Sequence, residues 1–456
     1  MQTPSGSPAV DAATLERWDH AHLWHPFTQQ DEWEADGAPL VVEAAQGVEL
    51  IDVHGRRYLD GVSSLWTNVH GHRQPRIDAA IVDQLGRVAH STLLGLSSRP
   101  AVELAHRLAR LTERQLPGTG LGRVFYSDSG STAVEVALKM AFQWQQQQQQ
   151  GHRRRTRFAA LSEAYHGDTI GSVSVGGIDL FHAVYRPMLF DALRLPAPEH
   201  ASGTEEEACL ARAEALLEEH GDTLAALVVE PLVQGAAGMR MHSPAFIGRL
   251  LTLARERGAL AIVDEVATGF GRTGTMFATE QVRAVAPGAG PDLLCLAKGL
   301  SGGYLPLAAT LVTERVFDGF RAPYDQHHTL FHGHTYTGNA LGCAAALASL
   351  DLFEEEGVLA SLPEKIAALS AAMAQVPDRH VIERRQHGLM AGLLLRHERP
   401  AAARTAHRVC MAARAHGVLV RPLGDLIVLM PPLAMPPATI HRLVQGVAAG
   451  ITDVLG

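Results

Sequence analysis

The sequence predicts an α/β protein: a large, doubly wound, mostly parallel-sheet domain with a smaller α+β domain beside it. Three observations carry this. Segments ALVVE (226–230), LAIVDE (260–265) and DLLCLA (292–297) are near-continuous apolar runs, as strands covered by helices on both faces must be. Amphipathic helical patterns alternate with such runs. The chain has 456 residues, about three times a usual domain length of roughly 150, which suits one large domain and a smaller one.

The elements follow in chain order. Residues 1 to about 12 are small and polar and are expected to fray. Gly47 to Asp60 alternates apolar and polar residues and predicts a hairpin turning at His54-Gly55. From Ile77 the period lengthens: IDAAIVDQLGRV and PAVELAHRLARL read as helices, RVFYS as a strand and TAVEVALKMAFQW as a helix. SPAFIGRLLTLARERG is a helix between the first two apolar runs, and ALGCAAALASLDLFEEE opens a second region after Asn339. Strands and a helix alternate there through VIERRQHGLMAGLLL, TAHRVCMAARAHG and VLVRPLGDLIVLM. The expected division is 1–75 as an N-terminal segment packing with the small domain, 76–340 as the large domain and 341–456 as the C-terminal small domain. No period of about 20 to 50 residues marks a solenoid or propeller.

Composition narrows the function. Hydrophobic residues make up 46 % and charged residues 19 %, enough apolar material for a sizeable core and too little charge for disorder. The net charge, 39 minus 48, is -9, so nucleic acid is not an expected partner. The basic run Arg153 to Arg155, after the glutamine tract Gln145 to Gln150, reads as a solvated helix end and loop. Cys209, Cys295, Cys343 and Cys410 are far apart without CxxC spacing and suit buried thiols in a reducing compartment. No stretch of 18 apolar residues occurs, and no membrane contact is expected; the reading is a cytoplasmic protein.

Lysine is the sharpest constraint on chemistry. Only Lys139, Lys298 and Lys365 are present among 39 basic residues. Lys139 lies on a helical pattern and Lys365 follows Pro363-Glu364 at the start of an exposed helix, and both read as solvated amines. Lys298 ends DLLCLA and precedes GLSGG, which sets an amine at the carboxyl edge of a buried strand, where open α/β sheets bind ligands. Desolvation there disfavours the ammonium and makes the amine a nucleophile toward a carbonyl. A structural role for it remains open on spacing alone.

Two further strand ends add to it. Asp264 closes LAIVD; it is a salt-bridge partner or helix cap, or a counter-charge for a ligand cation. A carboxylate about 4 Å from a cation gains about 4 kcal/mol at an effective dielectric of about 20, enough to hold a weakly basic nitrogen protonated. After RVFYS, the Ser-Asp-Ser-Gly-Ser turn leads into a helix whose Gly130 and Ser131 N–H groups, with nearby hydroxyls, suit a phosphate. Amine, carboxylate and phosphate cradle are the parts pyridoxal 5'-phosphate needs. Two other signals compete. GFGRTG (269–274) satisfies the dinucleotide pattern, yet Asp264 and Glu265 stand beside it and TGTMFATE opens no clean helix. His70-Gly71-His72 and His332-Gly333-His334 suggest a metal but lack a completing ligand, so none is expected.

Together, LWHPFTQ, DGVSSLWTNVHGH, VFYSDSGSTAVEVALKMA, AYHGDTIG, EPLVQGAAGMRM, DEVATGFGRTG, AKGLSGGYLPLAAT, FHGHTYTGN and RPLGDLIVLMPPLA make the chain resemble the class III pyridoxal phosphate aminotransferases of fold type I, from about Leu23 to the C-terminus. The resemblance lies closest to the branch serving biotin synthesis. It implies that Lys298 tethers pyridoxal 5'-phosphate, Asp264 pairs with its ring nitrogen, Gly130 and Ser131 hold the phosphate, and Tyr165 covers the ring. It implies a homodimer with shared active sites, His334 and Thr335 reaching the phosphate of the neighbouring subunit. Gly333, Trp66, Leu65, Phe27 and Arg421 would line the substrate site, Arg421 facing a carboxylate; Glu230 receives no role.

The implied reaction is ping-pong transfer of an amino group to 8-amino-7-oxononanoate, with S-adenosylmethionine as the default donor. L-Lysine as donor, or another ω-amino-acid transaminase of this class, is the alternative. Two departures bear on the donor: members using S-adenosylmethionine commonly carry two tryptophans after Ser-Ser and a tyrosine in WHPYT, whereas Leu65 precedes Trp66 here and Phe27 stands in WHPFT. Losing an indole face and a phenol hydroxyl weakens recognition of an adenosyl sulfonium.

Overall fold

The computed structural model describes residues 10–148, 154–199 and 203–456. Among them, seven strands form the central sheet, in the order Leu121–Ser127, Ala308–Thr313, Leu293–Leu296, Leu260–Asp264, Leu224–Val229, Arg157–Leu161, Ala192–Leu195. Neighbours are parallel from Ala192–Leu195 to Leu293–Leu296, and Ala308–Thr313 is antiparallel to both its neighbours. Leu121–Ser127 therefore points the same way as the parallel set, so the carboxyl ends of these strands share one edge.

Both faces are buried, which is why the strands read as continuous apolar runs. Leu227, Val229, Ala261, Val263, Leu294 and Leu296 join the core under helices Arg99–Gln115, Gly203–His220 and Pro244–Glu256. The alternate residues Ala226, Val228, Leu260, Ile262, Leu293 and Cys295 pack with helix Gly130–Gln147 on the opposite face. Each fully buried Leu, Ile or Val of this set contributes about 1.5–3 kcal/mol as an upper estimate.

The hairpin read from Gly47 to Asp60 is present as Glu49–Asp52 against Arg57–Asp60, and Arg57–Asp60 also pairs in parallel with Val418–Leu419. A second four-stranded sheet orders Val381–His387, Met390–Leu395, Leu426–Leu429 and Arg421–Leu423. No single described helix is long and apolar enough to cross a membrane; one bent pair, Ala340–Glu355 with Val358–Ala374, passes only by length and composition.

Three expectations need correction or restriction. Lys365 is not a solvated amine at a helix start: it lies inside helix Val358–Ala374, is half-buried, and donates to the Leu433 carbonyl, because the helix carries Pro363 within it rather than beginning there. The glutamine tract is not wholly solvated: Gln145 is fully buried and its amide donates to the Ala225 and Gly258 carbonyls at 3.1 and 3.0 Å. Arg155 is likewise anchored, on the Gly221 and Leu224 carbonyls; residues 149–153 lie outside the described set. The frayed start also falls, up to residue 9, outside it, and a helix runs from Ala12 to His22.

Candidate active site

The shared carboxyl edge gathers the chemistry. Strand Leu260–Asp264 pairs with Leu293–Leu296 in the register Asp264 to Cys295, so Lys298 follows three residues beyond the position beside Asp264. Strand Leu224–Val229 is followed directly by Glu230, and Arg157–Leu161 leads to Tyr165 and His166. Asp264 is buried; it accepts from the Val266 N–H at 3.0 Å and its Oδ2 lies 2.8 Å from His166 Nδ1. His166 is itself buried, and its Nε2 has no hydrogen-bond partner among the described residues.

Lys298 has a left-handed backbone, φ 44°. Its amine lies 4.7 Å from the Trp66 ring centroid and makes no hydrogen bond or ion pair among the described residues. Burial pushes its pKa down, against the opposing pull of the Asp264 and Glu230 carboxylates. An amine whose ammonium form burial disfavours, placed at this strand edge, suits a nucleophile's role.

The cradle for an anion is built by the backbone. Ser129 caps helix Gly130–Gln147 by accepting from Thr132 N–H, while Thr132 Oγ1 accepts from Ser129 N–H. The Gly130 and Ser131 N–H groups are left pointing out of an 18-residue helix start. A Cβ on Gly130 would stand 2.5 Å from Val266 Cγ1, and one on Gly167, at φ 119°, 2.4 Å from Ser131 Cβ, so both positions require glycine for the close approach. The hydroxyls are not free as expected: Ser131 Oγ accepts from Thr169 N–H at 3.0 Å and lies 2.8 Å from Thr169 Oγ1. The unpaired amine, the buried carboxylate and these free N–H groups fit a phosphorylated pyridine aldehyde.

Tyr165 donates its phenol to Asp168 at 2.8 Å, and burial pushes that phenol's pKa up. Phe27, exposed and at φ 54°, meets Phe181 edge-on at 5.4 Å between centroids, and Phe181 meets Tyr165 at 6.2 Å, so Phe27 is tied to the site by an aromatic chain. Gly333 and Thr335 are exposed; His334 Nδ1 lies 3.3 Å from Asp128 Oδ2 of the same chain. Arg421 is exposed at the start of its strand and makes no ion pair among the described residues.

Trp66 is positioned by unusual backbone. Ser63, Ser64, Leu65 and Trp66 have φ of 52°, 48°, 72° and 70°, a full left-handed turn with no glycine. Each L-residue there costs about 1–2 kcal/mol, so surrounding contacts must hold it. The Ser63 hydroxyl donates to the Met430 carbonyl at 2.6 Å; Asp60, buried, accepts from Ser64 N–H and Oγ–H at 2.9 and 2.8 Å. His72 Nε2 lies 3.0 Å from the same carboxylate. GFGRTG also proves structural: its Arg272 is buried and donates to the Pro431 and Asn68 carbonyls.

Glu230, His166 and Asp60 were not assigned from sequence. Glu230 is buried and accepts from Tyr165 N–H and Gly235 N–H, both at 3.1 Å, coupling two loops at the site. Burial raises its pKa from an ordinary 4.5 to about 7. The folded state therefore holds a proton that the unfolded chain releases above about pH 4.5, so this group's contribution favours folding at low pH and is lost as pH rises toward about 7, at most about 3 kcal/mol. The difference in melting temperature between wild type and Glu230→Gln is expected to shift in the variant's favour between pH 5 and 7, by differential scanning calorimetry; a difference constant across that window refutes it.

The chain is similar to known proteins in sequence and in fold. A family model described as aminotransferase class-III matches residues 32–451. A protein of Nitratidesulfovibrio vulgaris named adenosylmethionine-8-amino-7-oxononanoate aminotransferase is 53 % identical, covering 98 % of this chain and 83 % of that one. One of the same name from Geobacter sulfurreducens is 47 % identical over 98 % and 100 %. The crystal structure of the Methanocaldococcus jannaschii protein of that name superposes with a TM-score of 0.92 at 38 % identity, covering 98 % and 100 %. An amine transaminase from an uncultivated Pseudomonas species, in PLP-bound form, gives 0.86 at 34 % identity over 95 % and 99 %.

Proposed function

The chain belongs to the class III aminotransferase family, and from that premise we propose that it transfers an amino group to 8-amino-7-oxononanoate, with S-adenosylmethionine as donor, in biotin biosynthesis. Its cofactor is pyridoxal 5'-phosphate. The observation that carries the reading is the partnerless Lys298 amine at the strand edge where Asp264 and the Gly130–Ser131 N–H groups converge.

The cofactor supplies, when bound, an aldehyde that captures amines and a cationic ring that accepts electron density as an adjacent C–H bond breaks. Lys298 Nζ would hold the cofactor, and its amine would move the proton from the substrate carbon. The Asp264 carboxylate keeps positive charge on the ring nitrogen, and the Gly130 and Ser131 N–H groups bind the phosphate. Tyr165 covers the ring, Trp66, Leu65, Phe27 and Gly333 line the substrate space, and Arg421, without an ion pair among the described residues, receives a carboxylate.

The working unit in this reading is a homodimer in which His334 and Thr335 serve the phosphate site of a second copy. Phe331 and Tyr336, flanking them, are 74 % and 60 % exposed in the single chain, apolar surface that such a partner covers. The four cysteines are free thiols, three of them buried, which suits a reducing compartment, and we place the enzyme in the cytoplasm.

The test is reconstitution with pyridoxal phosphate and 8-amino-7-oxononanoate, offering S-adenosylmethionine or L-lysine. Diamine product with S-adenosylmethionine is expected. Product with lysine alone overturns the donor; turnover only of other ω-amino acids overturns the acceptor.

A further inference from the structure

The left-handed turn that carries Trp66 has no sequence feature that favours it: Ser-Ser-Leu-Trp contains neither glycine nor asparagine, the residues that visit this backbone region at least cost. Something outside the turn must select it. The Ser63 hydroxyl fixes its first residue to Met430. The second residue is gripped twice by one group, since both the N–H and the hydroxyl of Ser64 donate to the Asp60 carboxylate. Asp60 is fully buried, and its remaining partner is His72. Downstream, the indole of Trp66 lies against Gly235 and faces the Lys298 amine.

We propose that Asp60, steadied by His72, is a positioning residue: it holds Ser63–Trp66 left-handed and so sets where the Trp66 indole meets the substrate amine at Lys298. The inference rests on the reading of Lys298 and Trp66 given under Proposed function. Asp60 touches no reacting atom; its effect passes through the backbone of Ser64. Loss of the clamp lets the turn relax to right-handed or extended backbone and swings the indole away. Substrate binding suffers more than the proton transfer that Lys298 performs.

Glycine supplies the decisive control, because it adopts the left-handed region without a clamp. Asp60→Ala is expected to raise the KM of the amino donor about tenfold with a much smaller change in kcat, and Ser64→Gly in that background to recover most of the loss. Ser64→Pro, whose ring forces a negative φ at a surface position, is expected to reproduce the Asp60→Ala defect and remains informative if Asp60→Ala does not fold. A second readout needs no turnover. With 5-fluorotryptophan in the five tryptophan positions, the 19F resonance of Trp66, identified by Trp66→Phe, shifts in apo Asp60→Ala and returns in the Asp60→Ala/Ser64→Gly double variant. An unshifted resonance, a double variant no better than Asp60→Ala, or a KM unmoved by Ser64→Pro overturns the proposal. If wild-type protein transfers no amino group to 8-amino-7-oxononanoate, the functional reading falls, while the 19F comparison still decides whether Asp60 governs the turn.

Discussion

Lys298→Ala is expected to lower kcat by at least about 10⁴-fold while leaving the protein folded, because one amine supplies both the covalent hold on the cofactor and the proton relay, and general acid–base catalysis alone is worth about 10²–10⁴-fold. Folding survives because the Lys298 amine makes no hydrogen bond or ion pair among the described residues whose loss would orphan a buried group. Lys298→Arg sharpens the result: it retains a cation near Trp66 but cannot form the covalent bond, so it should be as inactive as alanine. Borohydride reduction of the wild-type holoenzyme should leave a stable label on the peptide containing Lys298. Label on Lys139 or Lys365 would refute the assignment. Structure already separates these amines: Lys139 reaches the Phe331 carbonyl and His332, and Lys365 donates to Leu433, so neither faces the strand edge unpaired.

That Lys298 was legible in the sequence, and the turn beside it was not, has a physical reason. A lysine at the end of a buried strand is announced by the apolar run before it, and the same holds for Asp264. Both signals are local. The link between His166 and Asp264 spans 98 residues, and a histidine beside a tyrosine in an irregular loop carries no periodic signature. The left-handed turn is hidden for the opposite reason: its residues argue against the conformation that Asp60 and Met430 impose. Among fold elements, Leu260–Asp264 and Pro244–Glu256 stood out because each is covered by the core in a regular pattern. Strand Ala192–Leu195 did not, being four residues at the sheet edge with Arg194 inside it, a side chain that turns out to donate to the Ser174 and Val175 carbonyls. Helix Gly203–His220 buries only Glu206, Ala213 and Leu217, too sparse a stripe to read.

Asp264→Asn should cost about 10²–10³-fold in kcat with the cofactor still bound, a milder loss than at Lys298 because only the electrostatics change. Asparagine keeps the shape and one oxygen for the Val266 N–H, but it removes the negative charge that holds the ring nitrogen cationic. The coordinate that separates this from a packing defect is the visible spectrum of the bound cofactor, which should move toward the form with an unprotonated ring while the melting temperature changes little. His166 makes the outcome specific. Its Nδ1 faces Asp264 Oδ2 at 2.8 Å within a buried pocket that also holds Glu230, so the carboxylate is fixed in one orientation before any ligand arrives. His166→Ala should therefore produce the same spectral change in weaker form, by loosening the carboxylate without removing its charge. A normal spectrum with full activity in Asp264→Asn would mean that the ring nitrogen needs no counter-charge here, and would return the buried carboxylate to a structural role as the acceptor for Val266.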